Sequence, residues 1–227
     1  MSEPVRFGFV GCGGAALDVA AAIGRSDRAT LVATLDLDRT RAMELATPFD
    51  ARVHDSLDEL LADERVEAVY VALPHRLLAP TAERVLAEGR AVLVEKPMAL
   101  DVAAIDRLGD MARAGGLALG VMFELRETGV ALVARQLIAG GAIGEVTCVR
   151  MRTLIDKPFR YWRSGYSERV RSGWRARRAE AGGGVVLMNV IHQLDLLRMI
   201  TGMEPADVSG YVGTLVADRA EVEVEDT

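Results

Sequence analysis

The first half of the chain alternates short apolar runs with longer segments whose apolar residues recur at helical spacing. Five of the runs are five to eight residues long and rich in β-branched residues, which is the pattern of buried strands. They span residues 5–10, 31–36, 66–73, 91–95 and 117–121. The helical segments between them span residues 14–24, 38–46, 57–62, 77–88 and 102–114. Strands that alternate with helices and are apolar on both faces predict an α/β fold with a doubly wound parallel sheet.

The pattern changes after about residue 122, and the second half predicts an α+β domain. Its predicted elements are a helix over residues 127–139, a strand over 145–152, a polar loop over 155–180, a helix that begins near Gly184, and strands over 206–216 and 220–226. We therefore expect two domains. Residues 1–122 would hold the parallel sheet, and residues 123–227 a mostly antiparallel open sheet whose C-terminal part is missing.

The last two predicted strands carry apolar residues at alternate positions, among them Val208, Tyr211, Val222 and Val224. This alternation indicates a sheet with one apolar face. Such a face is normally covered by further chain or by a partner. We therefore expect either a longer polypeptide or a homo-oligomer that buries the C-terminal sheet.

Composition and charge argue against several classes of protein. With 227 residues, 50% of them hydrophobic and 26% charged, the chain is expected to be globular. The net charge of -6 argues against nucleic acid as a partner, and no apolar run approaches the roughly 20 residues of a membrane span. The N-terminus lacks the features of a signal peptide, so we expect a cytoplasmic protein with no membrane partner. The two cysteines, Cys12 and Cys148, lie far apart, which predicts reduced thiols and no metal site.

An arginine-rich stretch at residues 159–178, FRYWRSGYSERVRSGWRARR, carries seven arginines with aromatic residues between them. In an acidic protein without a recognised binding module, this pattern is weak evidence for nucleic-acid binding. We interpret it as a loop that covers a substrate and presents arginine to a carboxylate or a polyol. A solvated loop is the alternative.

A glycine-rich turn, VGCGGAA, stands directly between the first strand and the first helix. Gly11, Gly13 and Ala16 form a G-x-G-x-x-A pattern that allows a tight turn, close approach of a pyrophosphate, and close helix packing. Asp36 ends the second strand, where a carboxylate can accept hydrogen bonds from the ribose of an adenosine. The pattern predicts a dinucleotide-binding Rossmann domain, and a purely structural turn is the alternative. The predicted contacts of the turn are Gly11, Cys12, Gly13, Gly14, Ala15 and Ala16.

Asp36 also bears on the choice of cofactor. A carboxylate repels the additional 2′-phosphate of NADP, so NAD is the expected cofactor. Arg39 and Arg41 follow closely and could turn toward a phosphate, although a solvated helix start is the simpler interpretation of both.

Open parallel sheets bind ligands beyond the carboxyl ends of their strands. The residues there add Leu73, Pro74, His75, Glu95 and Lys96 to the predicted cofactor contacts. Lys96 is unusual because the chain has only two lysines, Lys96 and Lys157, against 25 arginines. An amine beside a nicotinamide can donate a hydrogen bond to a substrate oxygen and exchange a proton with it, whereas a guanidinium holds its proton near neutral pH.

At EKP, residues 95–97, the chain resembles the family of glucose-fructose oxidoreductase, inositol dehydrogenase and rhizopine catabolism proteins (Gfo/Idh/MocA). The resemblance covers essentially the whole chain. It rests on the glycine turn, Asp36, ALP (72–74), EGRAVLVEKPMAL (88–100), GGAIGEV (140–146), GWR (173–175) and GGGVVLMNVIHQLDLLRMITG (182–202). The resemblance implies that Lys96 is catalytic, that His192 completes the site, and that the Lys96–Pro97 peptide bond is cis.

The resemblance also implies a reaction: hydride transfer between the nicotinamide and a hydroxyl or carbonyl group of a sugar, cyclitol or related polyol. Helical spacing places Asn189, His192 and Asp195 on one face, with His192 as general base in oxidation. The predicted substrate contacts are Lys96, Arg126, Trp174, Arg175, Asn189, His192 and Asp195. The alternative is a catalytically degenerate sensor or regulator that keeps only the dinucleotide site.

Two departures from the family pattern affect individual residues. Many members carry an acid four residues before the histidine, and this chain has Met188 there, with Asn189 one place later. After ALP the family usually has asparagine, followed three residues later by histidine. This chain has His75 and Leu78, which puts one nicotinamide contact in question.

Overall fold

The computed structural model of the chain describes residues 3–217 and 221–226. Its N-terminal part is a six-stranded sheet in which all neighbouring strands run parallel. The strands are β1 (Val5–Val10), β2 (Ala29–Leu35), β3 (Arg52–Val53), β4 (Ala68–Val71), β5 (Ala91–Val94) and β6 (Leu119–Val121). Their spatial order is β3-β2-β1-β4-β5-β6, so the chain order reverses beside β1. The crevice at that reversal, beyond the carboxyl ends of the strands, is where such sheets bind ligands.

Five helices cover the two faces of the sheet. They are α1 (Gly14–Ile23), α2 (Arg39–Ala46), α3 (Leu57–Ala62), α4 (His75–Ala87) and α5 (Val102–Gly115). One core cluster joins α1 and α2 to one face, and a second joins α3, α4 and α5 to the other. Successive residues of β4 show the division, since Val69 points into one cluster and Tyr70 into the other.

The α/β prediction for the first half is therefore confirmed. All five predicted strands and all five predicted helices are present, with boundaries that differ by a few residues. The strand β3 was not predicted, because a strand of two residues is too short to show a pattern in the sequence.

The second part of the chain is helical and irregular in the residues that the structure describes. Its helices are α6 (Gly129–Ala139), α7 (Phe159–Ser164), α8 (Arg178–Ala181) and α9 (Ile191–Thr201), with a π-helical turn, Val186–Val190, leading directly into α9. One 3₁₀ turn, Glu124–Glu127, precedes α6, and another, Trp174–Ala176, lies between α7 and α8. The predicted helices over 127–139 and from Gly184 are confirmed.

The predicted antiparallel sheet is not present in the described residues, none of which forms a strand after Val121. The strands predicted over 145–152 and 206–216 are wrong, and so is the one over 220–226 as far as it is described. A strand requires a ladder of backbone hydrogen bonds with a neighbouring strand. No such ladder is formed by the described residues of these segments, although the Asp226 N–H donates to the Gly213 carbonyl at 3.0 Å. Val208 and Tyr211, predicted on a covered apolar face, are 87% and 103% exposed.

Residues 221–226 pack against the helices instead. Glu223 N–H donates to the carbonyl of Ala176, and Val185 N–H donates to the carbonyl of Glu225. Val222 and Val224 are buried in a third core cluster. A Cβ added at Gly184 would lie 1.7 Å from the Glu225 carbonyl oxygen, so this packing requires glycine there.

The stretch Arg178–Thr201 is long and apolar enough, by length and composition alone, to cross a membrane. The bend at Gly182–Gly184 separates α8 from the rest, and the helix after it, residues 185–201, is shorter than the roughly 20 residues that a bilayer requires. The stretch also carries Asn189, His192 and Asp195, which are polar.

Candidate active site

The glycine turn has the geometry that a dinucleotide phosphate requires. Gly11 has a positive φ of 90°, and a Cβ there would lie 2.3 Å from the Ala72 carbonyl oxygen, so only glycine fits. Gly13 is the N-cap of α1 and has no side chain to cap it, which leaves backbone N–H groups of the first turn available to an anion. Burial raises the pKa of the Cys12 thiol to about 12, so this cysteine is an inert packing residue.

Asp36 lies beside this turn and is held in place by three donors. The Cys12 N–H and the Asp38 N–H donate to its two oxygens at 2.8 Å, and the Arg41 guanidinium donates at 2.7 Å. Burial raises the pKa of Asp36, but these hydrogen bonds outweigh it, and the net pKa lies below the usual range. A fixed carboxylate therefore lies at the end of β2, at hydrogen-bonding distance from the glycine turn.

The interpretation of Arg41 as a solvated residue is wrong. Its side chain is only 21% exposed and pairs with both Asp36 and Asp38, because α2 turns its first residues toward the end of β2. Arg39 pairs with Asp55 on the surface, as a solvated helix start would.

Part of the arginine-rich loop covers the glycine turn. Arg169 donates from Nε to the Cys12 carbonyl at 2.9 Å and pairs with Glu44 at 2.8 Å. A Cβ added at Gly14 would lie 2.6 Å from the Ser167 hydroxyl oxygen. A dinucleotide at this end of α1 would therefore lie next to Ser167 and Arg169, neither of which the sequence had indicated as a ligand contact.

Lys96 follows β5 directly and reaches across to the π-helical turn before α9. Its Nζ donates to the Met188 carbonyl at 2.9 Å, and the Lys96–Pro97 bond is cis, as the resemblance implied. Burial lowers the pKa of Lys96, partly offset by Glu95 and Glu124, and Arg175 lowers it further. Glu95 accepts a hydrogen bond from the Tyr70 hydroxyl at 2.6 Å, which fixes the carboxylate next to the lysine.

Three polar atoms of the π-helical turn and α9 are buried and have no hydrogen-bond partner within the described part of the chain. They are Oδ1 of Asn189, Nδ1 of His192 and Oε1 of Gln193. The His192 Nδ1 lies 3.5 Å from a carboxylate oxygen of Glu124. Burial lowers the pKa of His192, and the Lys96 charge lowers it further, partly offset by Glu124 and Asp195. Buried polar atoms without partners indicate that a ligand completes this site.

Arg126 and Asp195 bind each other. The guanidinium makes two parallel hydrogen bonds with the buried carboxylate, one of them at 2.6 Å from Nε. A bidentate pair of this kind is geometrically rigid. The two predicted substrate contacts therefore form an internal ion pair that ties the segment after β6 to α9.

His75 joins the two halves of the chain. It donates from Nδ1 to the Ala181 carbonyl at 2.8 Å, and its ring packs against Trp174 with centroids 4.6 Å apart. Burial lowers the pKa of His75 to about 4, so the ring is neutral near pH 7. Leu73 lies against the glycine turn and Pro74 caps α4, as expected for residues just after β4.

Sequence reasoning missed Lys157 and Tyr161. Lys157 Nζ lies 3.9 Å from Met188 Sδ, and the Tyr161 hydroxyl lies 3.4 Å from the same sulfur. The signal was available for the lysine, because it is the second of only two in the chain, and each of the two precedes a proline.

The crevice at the reversal point of the sheet has a glycine turn at one end and the Lys96 amine at the other. A crevice with a glycine turn at this place is typical of dinucleotide-binding Rossmann proteins. The chain belongs to the Gfo/Idh/MocA oxidoreductase family. The family model for the NAD-binding Rossmann fold matches residues 5–123, and the model of the GFO/IDH/MocA C-terminal domain matches residues 131–227.

Individual relatives agree with this assignment. The chain is 33% identical over 221 residues to 1-carboxy-3-chloro-3,4-dihydroxycyclohexa-1,5-diene dehydrogenase of Comamonas testosteroni, covering 95% of this chain and 52% of that protein. The WlbA dehydrogenase of Bordetella pertussis, solved with NADH and UDP-GlcNAcA, is 27% identical with a TM-score of 0.83 and covers 100% of this chain and 62% of that one. GenD2 from gentamicin A biosynthesis, solved with NAD, is 29% identical with a TM-score of 0.75. The match covers 89% of this chain and 55% of GenD2. The chain thus spans about half the length of the curated relative.

Residues 3–217 and 221–226 contain no group of three or more His, Cys, Asp or Glu side chains placed to hold a metal ion.

Proposed function

We propose that the chain acts as an NAD(H)-dependent oxidoreductase that transfers hydride between the nicotinamide and a hydroxyl or carbonyl group of a sugar, cyclitol or related polyol. One observation carries the proposal. The Lys96 amine lies beside a helix whose Asn189 Oδ1 and His192 Nδ1 are buried and make no hydrogen bond within the described residues, in a chain whose first domain is the NAD-binding Rossmann fold.

The proposed roles follow from the chemistry of the side chains. Lys96 donates a hydrogen bond to the substrate oxygen and stabilises negative charge on it. His192 takes the hydroxyl proton during oxidation and returns it during reduction, since burial lowers its pKa and favours the neutral ring that a base requires. Asn189 orients the hydroxyl. When bound, NAD supplies the hydride acceptor.

The cofactor would occupy residues 1–122 and the substrate would lie against residues 123–227. Asp36 would bind the adenosine ribose, and the glycine turn would bind the pyrophosphate, which its positive-φ glycine and open helix end support. The remaining proposed cofactor contacts are Leu73, Pro74, His75, Glu95 and Lys96. The proposed substrate contacts besides Lys96, Asn189 and His192 are Arg126, Trp174, Arg175 and Asp195.

The alternative, a cofactor-binding sensor without turnover, is not favoured. Lys96 and His192 lie in one buried site, and the relatives reported above include enzymes named as dehydrogenases. We also place the protein in the cytoplasm as part of the proposal.

A nicotinamide absorbance screen tests the proposed function. We expect at least one sugar, cyclitol or polyol to reduce NAD, or its carbonyl form to oxidise NADH, at a rate that depends on protein concentration. The matched control is His192→Ala, which removes the proposed base and should lower turnover by about 10²- to 10⁴-fold. Equal rates for the two proteins, or no turnover with any compound of these classes, would contradict the proposal.

We further propose that the chain self-associates through the C-terminal segment that exposes Val208, Tyr211 and Val216. Exposed apolar side chains grouped in one segment indicate an interaction surface. Light scattering should give a mass above that of one 24.5 kDa chain, and the variant Val208→Asp/Tyr211→Asp should lower it. A monodisperse monomer that binds no apolar dye would rule this out.

A further inference from the structure

The only two lysines of the chain meet at one residue. The Lys96 amine donates to the carbonyl oxygen of Met188 at 2.9 Å, and the Lys157 amine lies 3.9 Å from the sulfur of the same methionine. Lys96 comes from the end of β5, whereas Lys157 immediately precedes Pro158 and α7. Two separate elements of the fold therefore place primary amines on either side of Met188.

Arg175 adds a third cation to this group. Its guanidinium lies 5.6 Å from the centre of the Tyr161 ring, and the Lys157 amine lies 4.8 Å from the centre of the same ring. Lys157 also lies 4.6 Å from the centre of the Trp162 ring. Aromatic faces attract cations and leave part of each charge open to another partner.

Within residues 3–217 and 221–226, none of these three cations forms an ion pair with a carboxylate oxygen at 4.0 Å or less, although Glu95 and Glu124 act on Lys96 from a greater distance, and Glu225 and Asp226 act on Lys157. Two less exposed arginines elsewhere in the fold are paired. Arg41 binds Asp36 and Asp38, and Arg169 binds Glu44. Charges held partly out of water are normally paired, so three half-buried cations without an ion pair at close range indicate a site for an anion from outside the chain.

The charges that face Lys157 come from several elements. The pKa of Lys157 is lowered to about 8, chiefly by burial and in addition by Lys96 and Arg175, against the opposing charges of Glu225 and Asp226. Repulsion among the three cations is relieved when a negative group lies between them.

We propose that Lys157 and Arg175, which both lie against the Tyr161 ring, together bind a carboxylate, so that the substrate is a hydroxy acid rather than a neutral polyol. The reacting hydroxyl would lie at Lys96 and His192. The carboxylate would lie at Lys157, which approaches the sulfur of Met188, whereas Lys96 binds the carbonyl of the same residue. Lys157 is thereby a specificity-determining residue. The inference rests on the proposed function, which it deepens by naming the chemical class of the substrate.

Binding to the NADH-saturated protein tests the inference. The probes are three pairs that differ mainly by a carboxylate: gluconate and glucitol, glucuronate and glucose, and galacturonate and galactose, each measured by calorimetry. At least one acid should bind about 10- to 100-fold more tightly than its neutral partner, the strength of a charge-assisted hydrogen bond. Lys157→Met should abolish that difference, because methionine fills the space between the aromatic rings without the charge. Lys157→Arg should retain it.

Arg171→Met is the matched control, since it removes one positive charge from an exposed position of the same loop. It should leave the preference unchanged. The inference is overturned if no acid binds, if neutral partners bind as tightly as acids, or if Lys157→Met keeps the preference.

The dependence on pH gives a second readout. The lysine carries its charge below its pKa, so the affinity of the wild type for the acid should fall as pH rises through about 8, or somewhat higher with the anion bound. Lys157→Arg should lack this loss, because a guanidinium stays charged. Identical pH profiles would count against Lys157 as the anion-binding group.

These outcomes separate the two proposals. Turnover of neutral polyols without preference for acids would leave the proposed function intact and overturn the proposal of a carboxylate site. Tight, Lys157-dependent binding of an acid without any turnover would support the carboxylate site and contradict the proposed function.

Discussion

Replacing Lys96 by alanine should lower turnover by about 10²- to 10⁴-fold, while the affinity for NAD(H) stays nearly unchanged. The amine is buried and directed at the helix that carries His192, so alanine removes the hydrogen bond to the reacting oxygen. The glycine turn and Asp36 lie at the other end of the crevice and keep their own contacts. Steady-state kinetics and NADH fluorescence titration measure the two effects separately.

Two further variants sharpen this prediction. Lys96→Arg should also be poorly active, because arginine keeps the charge but its larger, planar guanidinium presents its donors in a different geometry from the compact amine. In the double variant with His192→Ala the loss should be smaller than the product of the two single losses, since both groups serve one oxygen. Arg107→Ala, an exposed residue of α5, is the control for charge removal. If Lys96→Ala kept most of its turnover on a demonstrated substrate, the assigned role would be wrong.

Replacing Asp36 by alanine should weaken NADH binding by about 10- to 100-fold and relax the preference against NADPH. The carboxylate would lose its bonds to the ribose, and the loss would also free Arg41, which Asp36 holds at 2.7 Å. A freed guanidinium beside the ribose can bind a 2′-phosphate. Fluorescence titration with both reduced cofactors gives the two affinities for each protein.

Asp38→Asn is the matched control for Asp36. It removes a charge that also pairs with Arg41, yet asparagine can still cap α2. Its preference between the cofactors should stay close to that of the wild type. Tighter binding of NADPH than NADH by the wild type would contradict the assignment of NAD as the preferred cofactor.

The parallel sheet could be predicted because each of its strands is buried on both faces. Val69 and Tyr70 are neighbours in sequence, point to opposite faces, and are both fully buried, so the run has to be apolar throughout. Gly11, Asp36 and Lys96 follow ends of these strands. Parallel strands bring their carboxyl ends to one edge, which is why positions far apart in sequence could be assigned to one crevice.

The second half could not be predicted in the same way. The segment 206–216 alternates like a strand, but alternation does not supply a partner, and the described backbone there is not paired into a sheet. Val222 and Val224 alternate in the same way and are buried against helices, because Gly184 lets their segment approach. The same alternation of apolar residues therefore occurs in one segment that is exposed and in another that is buried. Only the packing of the tertiary structure distinguishes the two.

The sequence by itself determined the α/β sheet, the glycine turn and the position of Lys96 at the edge of the sheet, because each depends on local spacing or on the one edge that parallel strands share. Only the tertiary structure showed that Arg126 is bound to Asp195, that His75 joins the halves through Ala181, and that Lys157 lies with Lys96 at Met188. These contacts join residues 31 to 106 positions apart in the chain. Their pairing follows from how helices and loops pack on one another, and no spacing in the sequence encodes it.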